Sequence, residues 1–471
     1  MRKFQNFVSV IQMSLLLILF ANLLSQKYTY AYTLGQKLNQ DDIDLPLIKS
    51  ADAAGFSAGT GIRCSYHKPG FKQSPNITNN ASGVKAVATG DIDGDGLIDV
   101  VSANSKGNDI AWYQNIFPGG SFRPLKIVSM LASGANTILL ADLNNDNYLD
   151  IVSSSANDFK IAWYPNIDGK GNFGKQQIVY QIPSPTERKS ASSVVSGDIN
   201  NDGFIDIISC SSGWYGGISW HKNIRGTFLP ETSDITIESG YGAFTLQVGD
   251  INQDGLLDII AATGQNSDVV WFQNNGEKNQ KNNLTTFAPR QSIAKYPYLI
   301  CKECTVQNVL VVDLTQDTKL DVVVAQNNRL YYDSTISWYE NIGGGNFGTE
   351  KILTNVVAHA DVMISLSFSD YNNNGYIDIF AHYIYGIGEP TDGCPCCNNA
   401  KCPNGIVRFE NKDGKGTFSK EILITDSKTK TDFHVMINAM NDLNGDGWND
   451  IVASSYNDNT IEMYKNTCGE L

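Results

Sequence analysis

From residue 84 the chain repeats one hydrophobic pattern. VKAVATGD (84–91) alternates into a first strand, an acidic loop turns the chain, LIDVVSA (97–103) is a nearly continuous apolar second strand, and DIAWYQN (109–115) is a third. A Gly-rich turn then leads to FRPLKIVS (122–129) as a fourth. A second strand apolar on both faces must be covered on both faces, and in a propeller the neighbouring blades do the covering. The third strand places Trp112, Trp163, Trp220, Trp271 and Trp338 at one position in five repeats, with Arg408 and Met463 in the last two. A bulky ring at a fixed place in each repeat reads as packing between units. Three residues on, Asn115, Asn166, Asn223, Asn274, Asn341, Asn411 and Asn466 fill all seven copies, which reads as a turn-forming amide.

A Phe opens the fourth strand of six repeats (Phe122, Phe173, Phe228, Phe287, Phe347, Phe418), but the seventh stops at Asn466. The segment PGFKQSPNITN (69–79) offers the missing strand, with Phe71 as the seventh Phe. The expected fold is all-β: a seven-bladed β-propeller of four-stranded antiparallel blades over residues 63–471, its ring closed by an N-terminal strand that completes the last blade. Closure of this kind removes an open sheet edge. Cys64, just before the borrowed strand, and Cys468, just after the last third strand, are expected to be bonded.

The acidic loops carry the chemistry. In the first, Asp91, Asp93, Asp95 and Asp99 stand at alternate positions, Gly96 is sixth and Leu97 offers a backbone carbonyl at the seventh. Calcium takes six to eight hard oxygens, and alternation around a sixth-position Gly curls them onto one centre. Position twelve is Ser102 rather than Glu, so the loop is flanked by strands and not by helices. The second copy is Asp142, Asn144, Asp146 and Asp150; the third Asp198, Asn200, Asp202, Phe204 and Asp206; the fourth Asp250, Asn252, Asp254, Leu256 and Asp258. The fifth is Asp313, Thr315, Asp317 and Asp321; the sixth Asp370, Asn372, Asn374 and Asp378; the seventh Asp442, Asn444, Asp446, Trp448 and Asp450. The copies lie 51 to 72 residues apart, a period of blade size. Structural Ca2+ ions are the cofactors expected.

Composition sharpens this picture. The 471 residues carry a formal net charge of −14, which argues against a nucleic-acid partner. The loops hold 21 of the 49 acidic residues, and one divalent ion in each would cancel the net charge, so the acidity reads as metal chemistry. Arg2 and Lys3 before an apolar run from Phe7 to Leu24 suit a secretory signal over 1–31, or an uncleaved anchor, followed by a linker over 32–62. Only such an anchor would bring the chain to a membrane; otherwise a secreted or extracellular-surface location is expected. Nine cysteines in a secreted chain suggest four disulfides and one free thiol, for which Cys210 in an apolar strand is the choice. Cys301 and Cys304, and the cluster Cys394, Cys396, Cys397 and Cys402, read as disulfides, with zinc as the alternative. Asn76, Asn80 and Asn283 begin glycosylation sequons.

The seven aspartate loops with the recurrent WYxN and Gly-Phe elements resemble the FG-GAP or VCBS repeat family, over residues 64 to 471. That resemblance implies a calcium-stabilised extracellular propeller like that of integrin alpha subunits. It does not specify a ligand. Loop five departs from the pattern with Thr318 at the Gly position and Lys319 at the carbonyl position; loop two has Asn147 there, and loop six keeps two carboxylates. For these the alternative is a turn held by Asx hydrogen bonds without metal.

A ligand face is expected opposite the metal loops, where connections carry Trp214, Tyr215, Tyr296, Tyr298, Tyr331 and Tyr332 together with the cysteine-rich insertion. Exposed aromatics on loops borne by a rigid scaffold suit a protein or glycan partner. His359, His382 and His434 fall toward the same face as candidates for a metal or acid–base site. The main expectation is an adhesion or recognition module. The rivals are a metal-dependent enzyme, a lyase or hydrolase acting on carbohydrate, and a structural matrix or wall component.

Overall fold

The computed structural model describes residues 70–116, 120–181, 191–211, 216–228, 235–239, 242–263, 268–276, 287–295, 304–328, 333–357, 363–384, 405–425 and 435–469. The signal and linker segments, Cys64, Cys301, the cluster from Cys394 to Cys402, Asn283, His359, His434 and the six ligand-face aromatics lie outside the described residues.

Seven four-stranded antiparallel sheets follow one another along the chain, each of one repeat. Blade one runs Val84–Gly90, Asp99–Asn104, Asp109–Tyr113 and Lys126–Ser129. Blade seven has three strands of its own, Val435–Asn441, Asp450–Ser455 and Thr460–Asn466, and takes its fourth, Phe71–Gln73, from the other end of the chain. Phe71 pairs with Asn466 and Gln73 with Tyr464, so the ring closes as the missing strand requires.

One detail differs from the sequence reading. The recurrent Phe does not open the fourth strand but pairs with the recurrent Asn that follows the third strand, as in Asn115–Phe122, Asn166–Phe173 and Asn411–Phe418. The Gly-rich turn folds back at once onto the Asn, and the fourth strand begins only afterwards, at Lys126 in blade one. Phe71 makes the same pairing from the borrowed strand.

The second strands of blades one, two, four and seven are buried along their whole length, as in Asp99–Asn104 and Asp450–Ser455. Each hydrophobic cluster spans two blades: Val101 and Trp112 of the first pack with Ile151 and Tyr164 of the second, and Leu443 and Met463 of the seventh with Val100 and Tyr113 of the first. The tryptophans are the inter-blade packing the sequence suggested. Trp112 meets Phe173 of the next blade edge-on at 6.5 Å between centroids, and Trp338 meets Phe418 at 6.3 Å. Two residues before that Phe, a left-handed Gly lies flat against the same indole. A Cβ on Gly345 (φ +74°) would stand 2.1 Å from Trp271, and one on Gly171 (φ +70°) 2.2 Å from Trp112.

The Gly345→Ala substitution must therefore move the Trp271 ring and strain the turn, at a cost of about 2–4 kcal/mol. Gly203→Ala, equally left-handed (φ +87°) but with nothing within 4 Å, should cost only the backbone penalty of about 1 kcal/mol. Urea unfolding of the two variants checks the difference; equal costs would show that contact with the ring contributes nothing.

Candidate metal centre

Eight residues join the first and second strands in every blade, and all seven loops are built alike. The N–H of position six donates to one carboxylate oxygen of position one at 2.7 to 2.9 Å in each copy. The N–H of position seven donates to the side chain at position five at 2.7 to 3.1 Å, again in all seven. Position six is left-handed throughout, at Gly96 (φ +86°) and also at Asn147 (φ +67°) and Thr318 (φ +68°). The loops that depart in sequence keep the same backbone, because the Asx hydrogen bonds fix it whatever residue stands sixth.

The position-nine aspartates are the hub. Asp99, Asp150, Asp206, Asp258, Asp321, Asp378 and Asp450 are all fully buried. In each, Oδ1 accepts the backbone N–H of the recurrent Asn at 2.7 to 2.8 Å. In five loops Oδ2 accepts the N–H of position two at 2.9 to 3.3 Å. In loops three and six that oxygen, Asp206 Oδ2 and Asp378 Oδ2, is buried with no hydrogen-bond partner. Burial pushes these carboxyls up, only partly offset by the Asn N–H: to about 6 for Asp150, about 7 for Asp99, Asp206, Asp258, Asp321 and Asp450, and about 8 for Asp378. For Asp378 the nearby Asp370 and Glu410 carboxylates add to the rise.

The residues present fit a hard cation. In loop one, Asp91, Asp93 and Asp99 each offer an oxygen within 4.8 Å of the others, and Asp93 Oδ1 is buried without a partner. The trio is the single such group of acidic, Cys or His side chains among the described residues. In loop three both side-chain atoms of Asn200 are likewise unpartnered. Loops two and four turn their position-three amides onto position five, Asn144 to Asp146 at 2.9 Å and Asn252 to Asp254 at 2.8 Å. Loop five differs in kind, because the Lys319 ammonium is ion-paired with Asp317 inside it.

The recurrent Asn is more than a turn former. Buried in every blade, its Nδ2 donates to the position-two carbonyl of the preceding blade's loop at 2.7 to 2.9 Å: Asn166 to Ile92, Asn223 to Leu143, and across the closing seam Asn115 to Leu443. Its presence in all seven repeats was the signal, since a turn alone would accept Asp or Gly as well.

A second set of amides links the loops. The position-four side chain reaches the position-six carbonyl of the next loop: Asn145 to Gly203, Asn201 to Gly255, Gln253 to Thr318, Gln316 to Gly375 and Asn373 to Gly447. At loops one and seven position four is glycine, Gly94 and Gly445, so this series stops on both sides of loop one.

His382 is buried within the second strand of blade six, between Ser365 and Ile406 in register, while His359 and His434 lie outside the described residues. Cys210 is free and buried, its thiol pushed up to about 12 by burial, as expected of an inert structural thiol. Cys468 is disulfide-bonded. Asn80 is exposed, while Asn76 is half-buried and donates to Asn79 at 2.6 Å.

Seven blades carrying aspartate loops between their first and second strands define an FG-GAP-type propeller. The model of the FG-GAP-like repeat matches residues 91–153, 142–209, 198–261 and 313–381, more than half of the chain, and each match begins on a position-one aspartate. The chain belongs to that family. Solved structures similar to it include the rhamnogalacturonan lyase PL11 of Bacillus licheniformis (12 % identity, 85 % of this chain and 76 % of that one, TM-score 0.44). A protein from Lactobacillus plantarum is another (11 %, 72 % and 84 %, 0.43), as is BBS1N in complex with ARL6DN (13 %, 67 % and 95 %, 0.36). No curated protein matches the chain.

Two predictions follow from this geometry. Asn223→Ala removes a buried donor to two carbonyls, Leu143 and Ile205, and should cost about 2–4 kcal/mol. Asn145→Ala, at an exposed position, should cost under about 1 kcal/mol; chemical unfolding of both variants checks this. The second concerns pH. In metal-free protein the position-nine carboxyls have folded pKa values of about 6 to about 8 against 3.8 for the ordinary group. A folded pKa above the unfolded one gives stability that is complete below the unfolded value and is lost as pH rises through the folded one. The melting temperature of chelated protein should thus fall between pH 5 and pH 8, and an unchanged melt across that window would contradict these shifts.

Proposed function

We propose that the chain is a calcium-stabilised propeller acting outside the cell as a recognition module for a protein or glycan partner. The observation that carries the calcium reading is the set of seven buried position-nine carboxyls, each beside loop aspartates whose other oxygens are already held by backbone N–H groups. Ionising such a cluster at neutral pH needs a cation within it. In loop one, Asp91, Asp93 and Asp99 would hold the ion; bound calcium supplies positive charge that lets the loop carboxylates ionise together. The chain's own part is to aim oxygens by the position-six and position-seven N–H bonds and to bury the ninth carboxylate out of water. The Lys319 ammonium belongs to loop five itself, unlike Lys222, which reaches Asp202 of loop three from beyond the third strand, so loop five is left out and the full complement is at most six ions.

The recognition reading rests on where the scaffold varies. The metal loops have one length, whereas the connection between second and third strands is four or five residues in six blades and twenty in blade six. Lengthened connections on an otherwise uniform frame are where binding residues sit on rigid folds.

Chelation should lower the melting temperature at pH 7.5 by about 10 °C or more, given about 2.7 kcal/mol per site at calcium a hundredfold above its Kd. Native mass spectrometry should count no more than six calcium ions per chain; a melt indifferent to chelation would sink the calcium reading. A glycan array and a screen of cell-surface proteins, each with and without calcium, should return a calcium-dependent ligand. Self-association with no soluble ligand would favour the matrix role instead.

A further inference from the structure

The residue just before the recurrent asparagine reaches into the acidic loop of its own blade in blades one, three and six. In blade one Gln114 donates to Asp93, and in blade three the Lys222 ammonium lies 3.1 Å from Asp202. In blade six this residue is Glu410, and the Asn372 amide at position three of the loop donates to its Oε1 at 3.5 Å. Loop six is the copy with two carboxylates of its own, Asp370 and Asp378, where the other loops have three or four. It is also one of the two loops whose ninth aspartate keeps a buried oxygen, Asp378 Oδ2, with no hydrogen-bond partner.

Building on the calcium reading, we infer that Glu410 is a metal ligand of loop six, contributing from outside the nine-residue loop the carboxylate that the loop lacks. Its chemistry is that of a hard oxygen donor for a divalent cation. Swinging the Asn372 amide over, so that its oxygen rather than its nitrogen faces the ion, turns the present Asn372–Glu410 contact into two adjacent oxygen donors. The comparison with blade five supports the assignment. There the same position is Glu340, but Lys351 of the fourth strand holds it at 2.5 Å, and Lys319 occupies the loop. In blade six the fourth-strand residue in that register is Ile422, which leaves the Glu410 carboxylate without a lysine from that strand.

One cation does stand behind loop six. Arg408, in the place of the recurrent Trp, lies over the Tyr371 ring at 4.2 Å. If Arg408 alone neutralised the loop, Glu410 would be dispensable for metal, and this is the alternative the experiment must separate.

The test is calcium stoichiometry by native mass spectrometry on the full chain after dialysis against micromolar calcium. Glu410→Gln should carry one ion fewer than the unaltered protein, and adding Asn372→Asp to it should restore the lost ion by returning a carboxylate to the loop. An unchanged count in Glu410→Gln, or a double variant still one ion short, overturns the assignment. An unaltered protein that binds no calcium at all would instead sink the calcium reading beneath it. Should Glu410→Gln fail to fold, carbodiimide labelling of the unaltered chain decides: calcium should protect Glu410 several-fold, and equal labelling with and without calcium overturns the proposal.

Discussion

The contact on which the ring depends is the buried carboxylate of the ninth loop position accepting the backbone N–H of the recurrent asparagine. It fixes the third-strand turn of its own blade from within. The same asparagine then spends its side-chain amide on the preceding blade's loop. A single residue pair, Asp with Asn, thereby ties loop to turn and blade to blade, seven times over. Because these groups are out of water, losing the Asp leaves the Asn N–H unmet and losing the Asn side chain strands the carbonyls it served, and either penalty exceeds the value of the bond itself. Stability of the ring and the shape of the acidic loops are one property here, since the aspartate that closes each loop is the one that anchors each blade.

Packing follows the same economy. Cores lie between blades, not within them, so no blade is complete alone. The tryptophan of one blade lies against a glycine and the edge of a phenylalanine from the next, and the glycine is required because its backbone touches the ring. Blade seven has Met463 in that place and blade six Arg408, beside which the surface is rebuilt from Tyr371, Phe380 and the borrowed Phe71.

Much of the fold was legible because strand alternation and an unbroken apolar second strand are direct consequences of being covered on two sides. The borrowed strand was legible too, since one missing Phe among seven is a matter of counting. What escaped was anything that depends on the neighbouring blade. Nothing local to WYQN says that the Asn115 amide reaches Leu443, 328 residues away. Nor does a Gly two places before Phe announce the indole of another repeat. Inside the loops the positions were readable, but the state of each was not: the Lys319 ammonium turning onto Asp317, and the approach of Glu410 to Asn372, are matters of side-chain direction.

Seven wedges must add up to one full revolution, and small errors in the angle of each accumulate around the circle. Stiff links everywhere would force that surplus into the final joint as strain. The run of amides from loop two to loop seven is continuous, and Gly94 and Gly445 interrupt it on either side of the first loop. Blade one is joined to its neighbours instead by the buried Asn115–Leu443 and Asn166–Ile92 hydrogen bonds and by the apolar clusters it shares with both. The braid of surface amides is thus an open arc laid over a closed ring, its gap falling at the blade beside the one that receives the N-terminal strand.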